Sequence, residues 1–164
     1  LIQAVGIGVA LASLLFMKKA SDIGQKGMEV GPVSDFDGSK PWQDELEFYD
    51  LYKDKVIIKH LYGPFFFGFT SHFKDEIKKI ATDTKALIIR MDRVPYIDQS
   101  GLYALEDAIH DLNLLGVEVL LTKIQPQPLD KLKSIDVVPD LVPEDNIFES
   151  IEDAFAYLRG KLKP

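Results

Sequence analysis

The 164-residue chain contains no cysteine, which removes disulfides, thiolate metal sites and cysteine nucleophiles together and fits a reducing compartment. Histidine is scarce: His60, His72 and His110 stand alone, and no His-Glu-x-x-His pattern joins any two of them into a zinc site. Each is expected to be a core or surface imidazole. The chain has no Gly-x-Ser-x-Gly elbow and no Gly-x-x-x-x-Gly-Lys-Ser/Thr loop. Gly63 and Gly68 enclose Pro64-Phe65-Phe66-Phe67, and a loop so bulky and apolar does not cradle phosphate. The neighbouring acids Glu106-Asp107 and Glu152-Asp153 do not face each other on a helix and read as solvated surface. These absences argue against an enzyme and imply neither a metal nor a cofactor.

Positive charge is also in short supply. The formal net charge is −7. Residues 1–42 hold four lysines (Lys18, Lys19, Lys26, Lys40) and four acids (Asp22, Glu29, Asp35, Asp37), so they sum to zero and the excess lies on residues 43–164. An acidic unit repels phosphate backbones, which argues against nucleic acid as a partner.

What the chain does have begins with Leu1–Met17, an uncharged apolar run closed by Lys18 and Lys19. Seventeen helical residues span about 25 Å, a little short of the ~20 residues of a bilayer crossing. A signal peptide carries its positive charges before the apolar core, not after it. A buried soluble helix needs a polar face, which Gln3 and Ser13 alone do not make. Lysines at the exit suit a membrane helix leaving toward the cytoplasm. The absence of an initiator Met suggests a piece of a longer polypeptide in which this helix began earlier. Ala4, Gly8 and Ala12 recur every four residues, a small-residue stripe of the kind that packs membrane helices. The same residues are common in such segments without that role. Residues 1–19 are thus expected to be the C-terminal part of a transmembrane helix.

Residues 20–42 contain Gly24, Gly27, Gly31, Pro32, Gly38 and Pro41 and show no sustained apolar period. They read as a linker, with Trp42 marking the start of a folded domain over 43–164. Val56–Tyr62 is β-branched and predicts a strand, which Gly63-Pro64 breaks and Phe65-Phe66-Phe67 resumes. Thr70 is a candidate helix N-cap, followed by Phe73, Ile77 and Ile80 on one helical face. Ala86–Met91 predicts a buried strand, and 92–101 a loop. Leu102, Leu105, Ile109 and Leu112 mark a helix ended by Gly116, and Val117–Leu121 a further strand. Leu129, Leu132 and Ile135 suggest a short helix after Pro126 and Pro128, and Ile151, Phe155 and Leu158 a final one. The alternation predicts an α/β fold, a parallel or mixed sheet covered by helices with right-handed crossovers.

One segment remains, Tyr96-Ile97-Asp98-Gln99-Ser100-Gly101, between a strand and a helix. Ser100 is expected at or beside the helix N-cap, where its hydroxyl can satisfy a free backbone N–H. A hydroxyl there is also well placed to carry phosphate, because the helix N-terminus favours an anion, although Asp98 opposes that charge.

Val94-Pro95-Tyr96-Ile97-Asp98-Gln99-Ser100-Gly101, leading into Leu102-Tyr103-Ala104-Leu105, resembles the signature loop of STAS domains. Gly63-Pro64-Phe65-Phe66-Phe67-Gly68 resembles the Gly-Pro-aromatic strand of STAS domains in SulP-type transporters, and the likeness covers roughly residues 53–160. The apolar helix ending in lysines stands where the last transmembrane helix of such a transporter would stand. The resemblance implies a STAS-like (anti-sigma-factor-antagonist-like) mixed sheet covered by helices. It also implies a cytoplasmic domain that regulates a membrane anion carrier, and a transporter membrane domain and protein partners at the loop as contacts. A dimer of the parent transporter is a further implication. Asp98, Gln99, Ser100 and Gly101 match the loop, with Ser100 at the position phosphorylated in anti-sigma-factor antagonists. Two alternatives stay open: a free-standing antagonist switched at Ser100, which leaves residues 1–17 unexplained, and a small α/β domain with at most weak nucleotide binding at the strand ends.

Overall fold

The computed structural model describes residues 2–26, 30–32, 45–52, 55–66 and 83–162, together with Asp75, Ile77 and Ile80. Its elements are helix α1 (Ile2–Lys26), strand β1 (Val30–Pro32), helix α2 (Leu46–Tyr52), strands β2 (Val56–Tyr62) and β3 (Ala86–Arg93), helix α3 (Gln99–Leu114), strand β4 (Glu118–Thr122), helix α4 (Pro126–Ser134), strand β5 (Ile147–Phe148) and helix α5 (Ile151–Lys161). The five strands form one sheet in the order β1-β2-β3-β4-β5. Strands β2 to β5 run parallel, and β1 pairs antiparallel with β2. The sheet is therefore mixed, one of the two arrangements, parallel or mixed, that the alternation of strands and helices predicts.

Both faces of β2, β3 and β4 are covered, which explains their near-continuous apolar sequences. Side chains alternate between faces along each strand. Ile57, Leu61, Leu87, Ile89, Met91, Val119 and Leu121 meet Leu102, Leu105, Ile109 and Leu112 of α3. Val56, Ile58, Ala86, Ile88 and Leu120 meet Phe48 and Tyr52 of α2 and Ile151, Phe155 and Leu158 of α5. Helix α3 stops where expected: Gly116 has φ +76°, a backbone state that glycine adopts freely. Helix α5 starts at Ser150, whose hydroxyl accepts from the Asp153 amide at 3.1 Å.

At the N-terminal end of β4, Glu118 accepts hydrogen bonds from Tyr157 and Lys161 of α5 at 2.8 Å each and from Asn146 at 3.2 Å. Burial pushes the Glu118 carboxyl up, but these hydrogen bonds and the Lys161 charge outweigh it and hold it below its ordinary value. The same contact with Glu118 raises the Lys161 ammonium. The cluster clips the last helix to the sheet.

Several expectations change. The linker assigned to 20–42 is in part ordered: α1 runs on to Lys26, and Val30–Pro32 forms an edge strand, where a proline without an N–H is tolerated. The resumed strand at 65–67 reduces, among the described residues, to one bridge between Phe65 and Ile97. Helix α3 begins at Gln99, three residues before its first expected apolar position. Helix α2 and strand β5 were not expected, being too short to show a period. The helix proposed after Thr70 lies outside the described residues, as do Trp42 and His72, apart from Asp75, Ile77 and Ile80; Ile77 is buried against α3.

The apolar N-terminal run is helical, and its described side chains are exposed throughout, with Phe16 at 73%. Among the described residues, however, no helix is long and apolar enough to cross a membrane. The transmembrane expectation is corrected to this extent: α1 is long, but its uncharged part ends at Lys18 and is too short for ~30 Å of hydrocarbon. Ala4, Gly8 and Ala12 lie exposed on α1, and a Cβ on Gly8 would meet nothing within 4 Å.

Candidate functional site

The loop singled out by sequence lies at the C-terminal ends of β2 and β3, the end at which open α/β sheets present their functional loops. It is anchored on two sides. On one, Phe65 N–H donates to Tyr96 O at 2.8 Å and Asp98 N–H donates to Phe65 O at 3.0 Å, forming a one-residue parallel bridge. On the other, the Gln127 side chain holds the backbone of Ile97 twice: its Oε1 accepts from Ile97 N at 2.9 Å and its Nε2 donates to Ile97 O at 3.1 Å. An amide side chain here stands in for the peptide group of a neighbouring strand. Gln125 adds a third tie, donating from Nε2 to Asp92 O at 2.8 Å. The sequence does not single out either glutamine, because each bonds to backbone about thirty residues away in the chain.

The helix cap also differs from expectation. Asp98, with extended backbone at φ −88° and ψ 176°, is the N-cap of α3; its Oδ1 accepts from Gly101 N at 2.7 Å. Ser100 is instead the second residue of the helix, with an exposed side chain. The correction has a simple cause. A carboxylate three residues before Gly101 satisfies a free N–H with a charge-assisted bond, and it sits in a dipole field that favours negative charge. Gln99 is exposed beside Ser100, whereas Gly101 is buried under Phe65. The structure thus brings Asp98, Gln99, Ser100 and Gly101 together on one helix start, while Ala4, Gly8 and Ala12 belong to α1. Tyr96 and Tyr103, each half exposed, are part of the same segment. Arg93 places its guanidinium 5.0 Å from the centre of the Tyr62 ring.

This division of labour predicts unequal mutant effects. Asp98→Ala is expected to cost about 1 kcal/mol, the usual worth of an N-cap. Ser100→Ala is expected to stay within about 0.5 kcal/mol, as for other exposed positions. Urea unfolding of the two variants measures both.

A second polar group sits inside the fold. His60, Arg90 and Thr122 are aligned across β2, β3 and β4. Glu45, at the start of α2, is fully buried, and its Oε1 lies 2.7 Å from both His60 Nε2 and Arg90 Nη1. Arg90 also lies 4.0 Å from Asp92. His60 is therefore a core imidazole, as expected. The partnership itself was not foreseen, although a lone arginine inside Ala-Leu-Ile-Ile-Arg-Met was a visible signal that a buried counter-charge was needed. No group of His, Cys, Asp and Glu among the described residues is arranged to hold a metal ion. The loop offers a presented surface of hydroxyl, amide and aromatic groups, and no nucleophile there is paired with a base.

Comparison with known proteins follows the same outline. The family model of the STAS domain matches residues 51–154. The bicarbonate transporter BicA of Synechocystis sp. is 29% identical over 161 residues, covering 94% of this chain and 27% of its own length. A crystal structure of a sulfate transporter family protein from Wolinella succinogenes shares 32% identity at a TM-score of 0.58, covering 63% of this chain and 84% of that one. The murine Solute Carrier 26 family member A9 anion transporter, in its inward-facing state, superposes over 95% of this chain and 25% of its own at a TM-score of 0.69; at 18% identity the likeness is one of fold. The chain therefore spans about a quarter of the length of the transporters that it matches from end to end.

Proposed function

This chain belongs to the STAS domain family, and from that premise we propose that it is the regulatory STAS module of a SulP-type membrane anion transporter, joined to the end of the membrane helix that leads into it. The observation that carries the reading is the extent of the match to BicA, which takes in 94% of the chain and so includes residues outside the STAS unit. A free-standing antagonist gives α1 no purpose. An exposed apolar helix closed by Lys18 and Lys19 has one in a transporter, as the end of a helix that meets the membrane. Lysines at the helix exit favour the cytoplasmic side for the folded unit.

In this reading the STAS unit binds and regulates, and transport takes place in the membrane domain. The carried ion is a small inorganic anion, in keeping with relatives named for bicarbonate and for sulfate. The loop at Asp98–Gly101 faces protein partners, and Ser100 is its candidate phosphate acceptor. Parent transporters then associate as dimers. The test is made on the full-length parent in cells. It is expected to remain in the membrane fraction after alkaline washing and to raise uptake of labelled bicarbonate or sulfate. Deletion of residues 45–164 is expected to abolish that uptake. A parent recovered entirely in the soluble fraction ends this reading.

A further inference from the structure

The buried Glu45–His60–Arg90 group contributes no side chain to the signature loop. Three ionisable side chains, none more than 2% exposed, meet at one junction. Buried ion pairs add little to stability compared with well-packed apolar groups, because desolvation cancels much of their attraction. They differ from apolar groups in what happens on opening: each charge regains its water. A joint of this kind can open while apolar layers elsewhere stay closed.

The position of the joint suggests its use. Glu45 opens α2, the first described helix after α1 in the chain. Its two partners lie on β2 and β3; β3 runs into the signature loop, and β2 runs toward Phe65, which bridges to that loop. From His60 the chain reaches Phe65 within five residues, and from Arg90 it reaches Ile97 within seven; those two residues form the bridge that anchors the loop. Gly63 N–H donating to Arg93 O at 2.8 Å ties the same two strand ends together. Among the described side chains of α2, Phe48 and Tyr52 are the buried apolar ones, with Phe48 stacked on Phe155 at 3.9 Å between ring centres.

We propose that Glu45 is a latch: gripped by Arg90 and His60, its carboxylate holds α2 on the sheet, and its release frees α2 as a unit and loosens the signature loop while β3 and β4 stay folded. The regulatory consequence, that movement of α1 reaches the loop by this route, rests on the transporter reading; the latch does not.

Amide hydrogen exchange on the full chain tests the latch. In Glu45→Gln, the amides of α2 are expected to exchange at least about tenfold faster, since an uncompensated buried charge favours the open form. The amides of Phe65 and Asp98 are expected to follow them. Those of β3 and β4 are expected to change less than about threefold, because they open only with the whole unit. Leu158→Ala, which weakens the same apolar layer from α5, is the comparison and is expected to speed all of these amides together. If Glu45→Gln does not fold, Glu45→Asp keeps the charge on a shorter stem and is expected to show the same order of effects at smaller size. The proposal is overturned if α2 exchanges no faster, if the strands accelerate equally, or if Phe65 and Asp98 stay protected while α2 opens. The readout needs no transport, so a soluble parent would end the transporter reading and leave this result standing.

Discussion

Gly101→Ala is expected to lower the stability of the STAS unit by about 3 kcal/mol, the upper part of the range for overpacking a close contact. A Cβ at this position would lie 2.6 Å from Phe65 O and 2.8 Å from Phe65 Cδ1. A ring can turn away, but a backbone carbonyl cannot, because Phe65 O is the acceptor for Asp98 N–H at 3.0 Å. The methyl group therefore has to push the helix start and the Phe65 bridge apart. That separates Asp98 from its place over Gly101 N, so the cap is strained by the same change. Thermal unfolding should show a fall of roughly 10 °C for a unit of this size. Gly101 is not in a glycine-only backbone state, since it sits in the first turn of α3. Its requirement is one of space. A wild-type melting temperature in Gly101→Ala would mean that the bridge is not held as described.

The same residue shows what could be read from sequence and what could not. Asp98-Gln99-Ser100-Gly101 was legible as a strand-to-helix junction because capping chemistry is local: a short acceptor, a helix start and a glycine lie within four residues. The order of roles within it was not. Whether Asp98 or Ser100 caps depends on where the helix begins, and that is fixed by the Phe65 bridge, a contact more than thirty residues away in sequence. The major strands were legible because both their faces are covered, which leaves an uninterrupted β-branched pattern. Strands β1 and β5, at three and two residues, carry no pattern and exist because a sheet edge is there to receive them. Gln127 and Glu45 were invisible for one reason: each satisfies a backbone or a charge that belongs to a distant segment. The apolar helix was legible as a helix. Its exposure over residues 3–19 is a property of the fold, which supplies it no covering layer among the described residues.

Phe155→Ala is expected to cost about 4 kcal/mol, in the range for emptying a buried aromatic site. Phe155 ties α5 to α2 by ring stacking: it lies parallel to Phe48, 3.9 Å away with 5° between planes, and Phe48 in turn stacks on Tyr52 at 4.4 Å. Removing the ring leaves a void between α2 and α5 that the sheet cannot fill, because β2, β3 and β4 are held in register with one another. Leu158 and Ile151 keep α5 seated, so the loss should fall more heavily on α2. Phe155→Leu retains most of the apolar volume and is expected to lose less than half as much, since the stack goes but the cavity is small. Chemical denaturation of the two variants gives the ratio. If Phe155→Ala and Phe155→Leu were equally costly, stacking and not volume would be what holds α2, and its attachment would depend on a single ring pair. If both were mild, α2 would be held by Glu45 rather than by its aromatic residues. The measured balance thus shows how far the first helix of the unit is fastened by packing and how far by charge.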